Sequence, residues 1–240
     1  MSMISRRAFV SSAAAFGAAA SVMSLAGCSG GSSSGSAGAS STAGSESTDG
    51  KPSQTQSESA SDQHPVDLGK SVVVFFSRAG ENVDVGVIDE GNTAIVAHSI
   101  AGKVVSDVFE IVPVEEYPFG YDDCYAQAKN EQNSNARPAI SDTFDSFDDY
   151  DTVYLGYPIW HSDLPMIMLT FIESKNWAGK KVMPFCTHGN SGLCSTDQRL
   201  KSLCKGADVK EGLAIKGSDA QAFGMDVDKA INAWLAKVRS

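Results

Sequence analysis

Positive charge is scarce in this chain: 19 lysines and arginines stand against 29 aspartates and glutamates, a formal net charge of −10. A nucleic-acid binder needs a basic footprint, and none is present. Such an acidic surface suits a soluble carrier that meets basic partners by electrostatic steering. Histidine and cysteine are also few, at four and five residues. No two cysteines have the Cys-x-x-Cys spacing of a redox or zinc motif, and the histidines show no ligand spacing, so no metal site is supported. Cys194 and Cys204 lie on or near one predicted helix, where ten residues span about 15 Å, too far for a direct bond. Free thiols are therefore read ahead of a bridge among Cys124, Cys186, Cys194 and Cys204. A nucleophile elbow is missing as well: Gly189-Asn190-Ser191-Gly192 is followed by Leu193 where Gly-x-Ser-x-Gly demands glycine.

Long, strongly hydrophobic runs are absent too. The apolar segment after Ser5-Arg6-Arg7-Ala8-Phe9-Val10 is rich in Ala and Ser, weakly hydrophobic for a membrane span, and ends at Leu25-Ala26-Gly27-Cys28. A charged start, an apolar middle and a small-residue end make an export signal. The arginine pair with Phe9 resembles a twin-arginine signal, and Leu-Ala-Gly-Cys resembles a bacterial lipobox. These resemblances imply a signal over residues 1–28, lipidation at Cys28, and an extracytoplasmic protein held to the bacterial cell membrane by its lipid alone. Losing Arg6 and Arg7 with the signal takes the net charge from −10 to −12. Residues 29–64 are mostly Ser, Gly, Ala, Thr, Gln and Glu, without Phe, Tyr or Trp. They bury too little to offset chain entropy and read as a flexible tether. Residues 65–240 remain, one domain's worth of chain with room for a substantial core.

Within that domain, Val72 to Phe76 is a short unbroken run of β-branched and aromatic residues, the pattern of a strand buried on both faces of a parallel sheet. Asn92-Thr93 precedes an Ala/Ile/Val pattern at helical spacing, which marks a helix start. Further strands are expected at Asp107–Pro113 near a sheet edge, Thr152–Pro158, Lys181–Cys186 and Val209–Ile215. Helices are expected from Asp122 to Gln132, Leu164 to Ser174, Ser195 to Cys204 and Val227 to Val238, with Asn133–Asp149 as loop. Strands alternating with helices require right-handed parallel crossovers. The predicted class is α/β, a doubly wound five-stranded parallel sheet in the order 2-1-3-4-5. Its ligand crevice lies beyond the carboxyl ends of the strands, where the loops after strands one, three and four meet.

Those loops carry the candidate site. Ser77-Arg78-Ala79-Gly80 and Gly91-Asn92-Thr93 place hydroxyls and first-turn amides where the helix dipole favours an anion. Gly156-Tyr157-Pro158-Ile159-Trp160-His161 offers an aromatic plate. Thr187-His188-Gly189-Asn190-Ser191-Gly192 is a loop whose glycines let backbone approach a ring. Together these resemble the flavodoxins, and Gly-Tyr-Pro-Ile-Trp is close to the pattern of one flavodoxin-like subgroup. Their usual loop, Ser/Thr-x-Thr-Gly-x-Thr, is split here by an insertion from Glu81 to Glu90. His161 stands where a second aromatic often follows. The resemblance implies FMN bound non-covalently by Ser77, Arg78, Gly91, Asn92, Thr93, Pro158, Ile159, Trp160, His161, Thr187, Gly189 and Gly192. It implies no catalytic side chain, since the flavin does the chemistry. The expected function is electron transfer to redox partner proteins, membrane-bound ones included. An FMN-dependent NAD(P)H reductase of quinones or similar acceptors, and a non-redox binding domain on the same fold, stay open beside it. His98, inside a helix, reads as structural.

Overall fold

In the computed structural model, residues 68–240 are described; the signal, Cys28 and the tether lie outside the described residues. The chain runs β1 (Ser71–Phe75), β2 (Gly80–Asn82), β3 (Gly86–Ile88), α1 (Asn92–Val104), β4 (Asp107–Glu110) and α2 (Tyr121–Ser134). A 3-10 turn at Asp145–Asp149 leads to β5 (Thr152–Pro158), α3 (Met166–Glu173), β6 (Lys181–His188) and α4 (Thr196–Leu203). β7 (Asp208–Val209), β8 (Leu213–Lys216), α5 (Gly217–Ala222) and α6 (Met225–Val238) complete it.

The main sheet is parallel, with β4, β1, β5 and β6 side by side and both β7 and β8 against β6. Counting β7 and β8 as one interrupted fifth strand, this is the expected 2-1-3-4-5 order. The interruption has a local cause. Val182 pairs with Val209 and Phe185 with Leu213, so Met183 and Pro184 face the three residues Lys210, Glu211 and Gly212. Pro184 has no amide hydrogen to offer either neighbour, and an extra residue bulges out opposite it.

Alternation along the strands sends side chains into two cores. Val72, Val74, Val153, Leu155 and Val182 pack with Cys124, Ile167 and Leu200 of α2, α3 and α4. Val73, Phe75, Tyr154, Met183 and Phe185 pack with Val96, Ile100, Ala220, Ile231 and Trp234 of α1, α5 and α6. Helices on both faces leave the central strands no exposed side, which is why β1 and β5 read as continuous apolar runs. The segment Asn133–Asp149, expected as plain loop, buries Phe144 and Phe147, and Phe144 stacks on Phe109 with centroids 4.4 Å apart. Beneath it Lys180, only 7% exposed, donates to the carbonyls of Phe147, Asp148 and Tyr150 at 3.3, 3.3 and 2.6 Å.

Candidate functional site

The split phosphate-type motif is reunited in space. β1 ends at Phe75, and the insertion leaves as the antiparallel pair β2–β3. The chain then returns to Gly91, the N-cap of α1. A β-carbon on Gly91 would come within 2.2 Å of Ser77 Oγ, so only glycine lets the two halves touch. Ser77 Oγ accepts the amide of Ala94 at 3.0 Å, a first-turn N–H shared with the Gly91 carbonyl at 3.0 Å, where the glycine N-cap has no side chain to offer. Thr93 is 1% exposed, and its hydroxyl shares a 2.7 Å hydrogen bond with that of Thr187. Asn92 takes a different direction. Gln221 Nε2 donates to the Glu90 carbonyl at 2.9 Å and to Asn92 Oδ1 at 2.8 Å. The carbonyl can only accept, so it orients the Gln221 amide, and that amide orients Asn92.

Arg78 is a frame residue. Its Nε and Nη2 donate to the Pro118 carbonyl at 3.1 and 2.8 Å, Nη2 also to Phe119 at 2.6 Å, and Nη1 to Glu81 at 2.8 Å. The guanidinium thereby ties β2 to the turn that starts α2. The Glu81 amide bonds the Phe119 carbonyl at 2.9 Å, and Glu81 Oε2 accepts the Tyr121 amide at 3.0 Å. At the hairpin tip, Asp84 Oδ2 accepts from Asn190 Nδ2 at 3.2 Å, so the insertion reaches across to the loop after β6.

The loop after β5 turns tightly. Trp160 and Asp163 exchange backbone hydrogen bonds at 2.9 and 3.0 Å, with His161 and Ser162 both in the left-handed region at φ of 48° and 62°. Two successive non-glycine residues there carry strain of about 1–3 kcal/mol each. The turn is held from three sides: Asp163 pairs with Arg199 of α4, His161 Nε2 donates to the Tyr125 carbonyl at 3.0 Å, and Gln132 Nε2 donates to the His161 carbonyl at 3.4 Å. Trp160 is braced edge-on by Phe76 and Tyr117, with centroids 5.4 and 4.9 Å away.

These pieces enclose a cleft of about 740 Å³, counting its open mouth. Of the residues expected from sequence, Arg78, Asn92, Pro158, Ile159, Trp160, His161, Thr187 and Gly189 line it, while Ser77, Gly91, Thr93 and Gly192 do not. Gly192 instead turns its carbonyl to the Cys186 thiol. The wall also contains groups that sequence reasoning missed: Asn82 to Asp84 of the insertion, Tyr121, Cys124 and Tyr125 of α2, and Lys216 to Ser218. Tyr121 and Tyr125, four apart on an otherwise polar helix, were a legible signal of one shared face. Tyr125 sits 4.2 Å from the His161 ring, which brings an aromatic to the place where His161 replaces one.

Electrostatically the wall is mixed. His188 lines the cleft, and its Nδ1 is buried with no partner among the described residues. Burial, then the nearby Lys216 ammonium, hold its pKa below the ordinary histidine value, against the pull of Asp219 and of the Gly189 backbone. Cys124, Cys186, Cys194 and Cys204 are free thiols. Burial pushes Cys186 and Cys204 up to about 12, which keeps both neutral and unreactive. His98 bonds Glu90 at 3.0 Å and meets Phe75 edge-on, a structural role.

With this geometry in place, the similarities to known proteins can be weighed. A model of the family described as Flavodoxin matches residues 85–235. The chain belongs to the flavodoxin family. No curated protein matches it. The flavodoxin domain is similar to a candidate flavoprotein of Bacteroides eggerthii, at 30% identity and a TM-score of 0.57 over 71% of this chain and 98% of that one. It is similar also to a candidate flavoprotein of Bacteroides uniformis, at 30% identity and a TM-score of 0.55 over 68% and 98%. A flavoprotein of Lactobacillus acidophilus solved in complex with FMN shares the fold, at 20% identity and a TM-score of 0.50 over 64% and 97%. The flavodoxin cleft sits in the described chain where the fold class puts a ligand, at the carboxyl ends of β1, β5 and β6.

Proposed function

We propose that this domain binds FMN non-covalently and carries electrons between protein partners, outside the cytoplasm, on a lipid tether at Cys28. The observation that carries the binding reading is the cleft itself, lined by Tyr125, Pro158, Ile159, Trp160 and Thr187 to Gly189. A flat apolar ring with a polar edge fits walls of this kind. The unpartnered His188 Nδ1 fits as well, since a buried polar atom needs a partner that a ligand can provide. When bound, the flavin would supply one- and two-electron chemistry. The chain's own task is to orient and enclose it. Trp160 is fixed by Phe76 and Tyr117, and the strained turn behind it is fastened to α2 and α4. The insertion, joined to Asn190 through Asp84, adds Asn82 to Asp84 to the cleft wall.

A carrier is favoured over a nicotinamide-dependent reductase by one detail. Arg78, the arginine closest to the candidate phosphate loop, is committed to backbone carbonyls and so is not free to clamp a nicotinamide phosphate. The acidic surface and the tether suit docking on basic, membrane-associated redox partners. The test begins with the purified full chain: the bound cofactor is released and identified, and FMN is expected. The loaded protein is then mixed anaerobically with NADH or NADPH while flavin absorbance is followed. No bleaching with nicotinamide but full bleaching with dithionite supports a carrier. Bleaching at about 10 per second, an ordinary turnover rate, establishes a reductase instead. For the anchor, Cys28→Ser should release the protein from the membrane fraction, and continued attachment would refute lipidation there.

A further inference from the structure

Resting on the reading of the cleft as an FMN site, we infer that the insertion β2–β3 is a strap across that cleft, fastened at its tip by Asp84 and Asn190, and that this fastening sets how fast the flavin enters and leaves. Topology supplies the first support. In the main sheet β5 lies between β1 and β6. The hairpin leaves the chain after β1, yet Asp84 at its tip accepts from Asn190, two residues past the end of β6. It therefore spans the carboxyl ends of all three strands, where the cleft lies. Asn82 to Asp84 line the cleft, and so do Thr187 to Gly189 just before Asn190. The tip lies against that loop: a β-carbon on Gly189 would meet Val83 Cγ1 at 3.4 Å and Asp84 Oδ2 at 3.6 Å. The bond from Asn190 to Asp84 thus closes a ring of chain, from β1 through the tip to β6, whose members line the cleft.

The two ends of the strap are held differently. At the base, Arg78 Nη1 donates to the Glu81 carbonyl at 2.8 Å, the Glu81 amide donates to the Phe119 carbonyl at 2.9 Å, and Glu81 Oε2 accepts the Tyr121 amide at 3.0 Å. Ile88, paired with Gly80, is buried there. At the tip, the 3.2 Å bond from Asn190 is exposed, and among the described residues it is the one hydrogen bond from residues 83–85 to chain outside the hairpin. Val83 stays 48% exposed and Val87 62%, so little apolar surface holds the tip down. A segment with few buried contacts and an exposed bond opens at low cost, while a well-bonded base stays in place. A latch of this kind acts on entry and exit alike, because it lies on the path of the ligand. For a domain exported with its cofactor, slow exit keeps the flavin in place.

The test measures association and dissociation rates of FMN and of riboflavin with the cofactor-stripped full chain, by stopped-flow flavin fluorescence, in wild type, Asn190→Ala and Asn190→Asp. Asn190 is exposed and off the cleft wall, so both variants leave the flavin's own contacts in place. Asn190→Ala is expected to raise both rates about two- to tenfold, the size of one lost hydrogen bond, for both ligands alike and with little change in Kd. Asn190→Asp sets a second carboxylate against Asp84 and should raise both rates further, and added salt should bring it back toward Asn190→Ala. Unchanged rates in both variants overturn the strap while leaving the flavin site standing. So does a faster dissociation with association unchanged, which would make the bond a stabiliser of the bound state alone. A wild-type chain that binds neither flavin overturns the reading of the cleft itself.

Discussion

Arg78 and Lys216 carry the same charge on the same cleft wall, one just after the first strand and the other at the end of the fifth. Their surroundings differ entirely. Arg78 meets the carbonyls of Pro118, Phe119 and Glu81, so its planar fork joins three segments of backbone. Lys216 makes no ion pair or side-chain hydrogen bond among the described residues, and its ammonium helps hold the pKa of His188 beside it below the ordinary value. The guanidinium suits the first role because it offers several donors in fixed directions, and the ammonium suits the second because it is a mobile point charge. A cation inside a recognisable loop can thus be scaffold, while a second cation on the same cleft wall arrives from a distant strand.

The sharpest way to break this comparison is to remove the fork. Arg78→Met keeps the stem and deletes every donor. The hairpin β2–β3 then loses its tie to the Pro118–Gly120 turn. Urea unfolding should show a loss of about 2 kcal/mol, the scale of a partly exposed charged donor's hydrogen bonds. FMN and riboflavin should weaken together, because the wall and not a phosphate ligand is disturbed. Lys216→Gln should leave the unfolding free energy within about 0.5 kcal/mol. A stable Arg78→Met protein that loses FMN affinity alone, with riboflavin unchanged, would make Arg78 a phosphate ligand and not a frame residue.

That reversal of roles marks the limit of what the chain shows on its face. The frame was legible because central strands of a doubly wound sheet are apolar on both sides, as Val72 to Phe76 and Thr152 to Pro158 are. Trp160 was legible through its neighbours Gly156 to Ile159. The three-residue strands of the insertion were not, since three residues carry no measurable alternation. Nor was the break opposite Pro184, which depends on register between strands far apart in sequence. α5 is six residues long, too short for a helical period to show. Lys216 was invisible for the deepest reason: it ends an apolar strand, and only the pairing of His188 with Lys216 brings it to the cleft. Loop motifs announce themselves locally, whereas a residue delivered by topology does not.

A second, smaller test concerns the buried hydroxyl pair. Thr93→Val keeps shape and leaves the Thr187 hydroxyl without its 2.7 Å partner in a site where both residues are almost fully buried. The expected cost is about 1–2 kcal/mol of stability. The ratio of FMN to riboflavin affinity should not move. If it falls, the Thr93 hydroxyl belongs to the phosphate site and the contrast between the two ends of the cleft narrows.

The smallest expected effect reads the field of Lys216 directly. His188 has its pKa lowered from 6.5, first by burial and then by the Lys216 ammonium, with Asp219 opposing. Removing that ammonium should let His188 titrate at higher pH, followed by NMR of its ring protons in the flavin-free chain. Arg78→Met should leave the same titration in place, because Arg78 does not contribute to the shift. The sign carries over to stability. With the folded pKa below the unfolded one, the unfolded chain takes up a proton first as pH falls through 6.5. Stability contributed by neutral His188 is therefore present above that pH and lost progressively on acidification below it. Lys216→Gln should make the loss shallower, and His188→Gln should abolish its share of it. A His188 titration that is the same in wild type and Lys216→Gln would place the ammonium too far from His188 to act on this part of the wall.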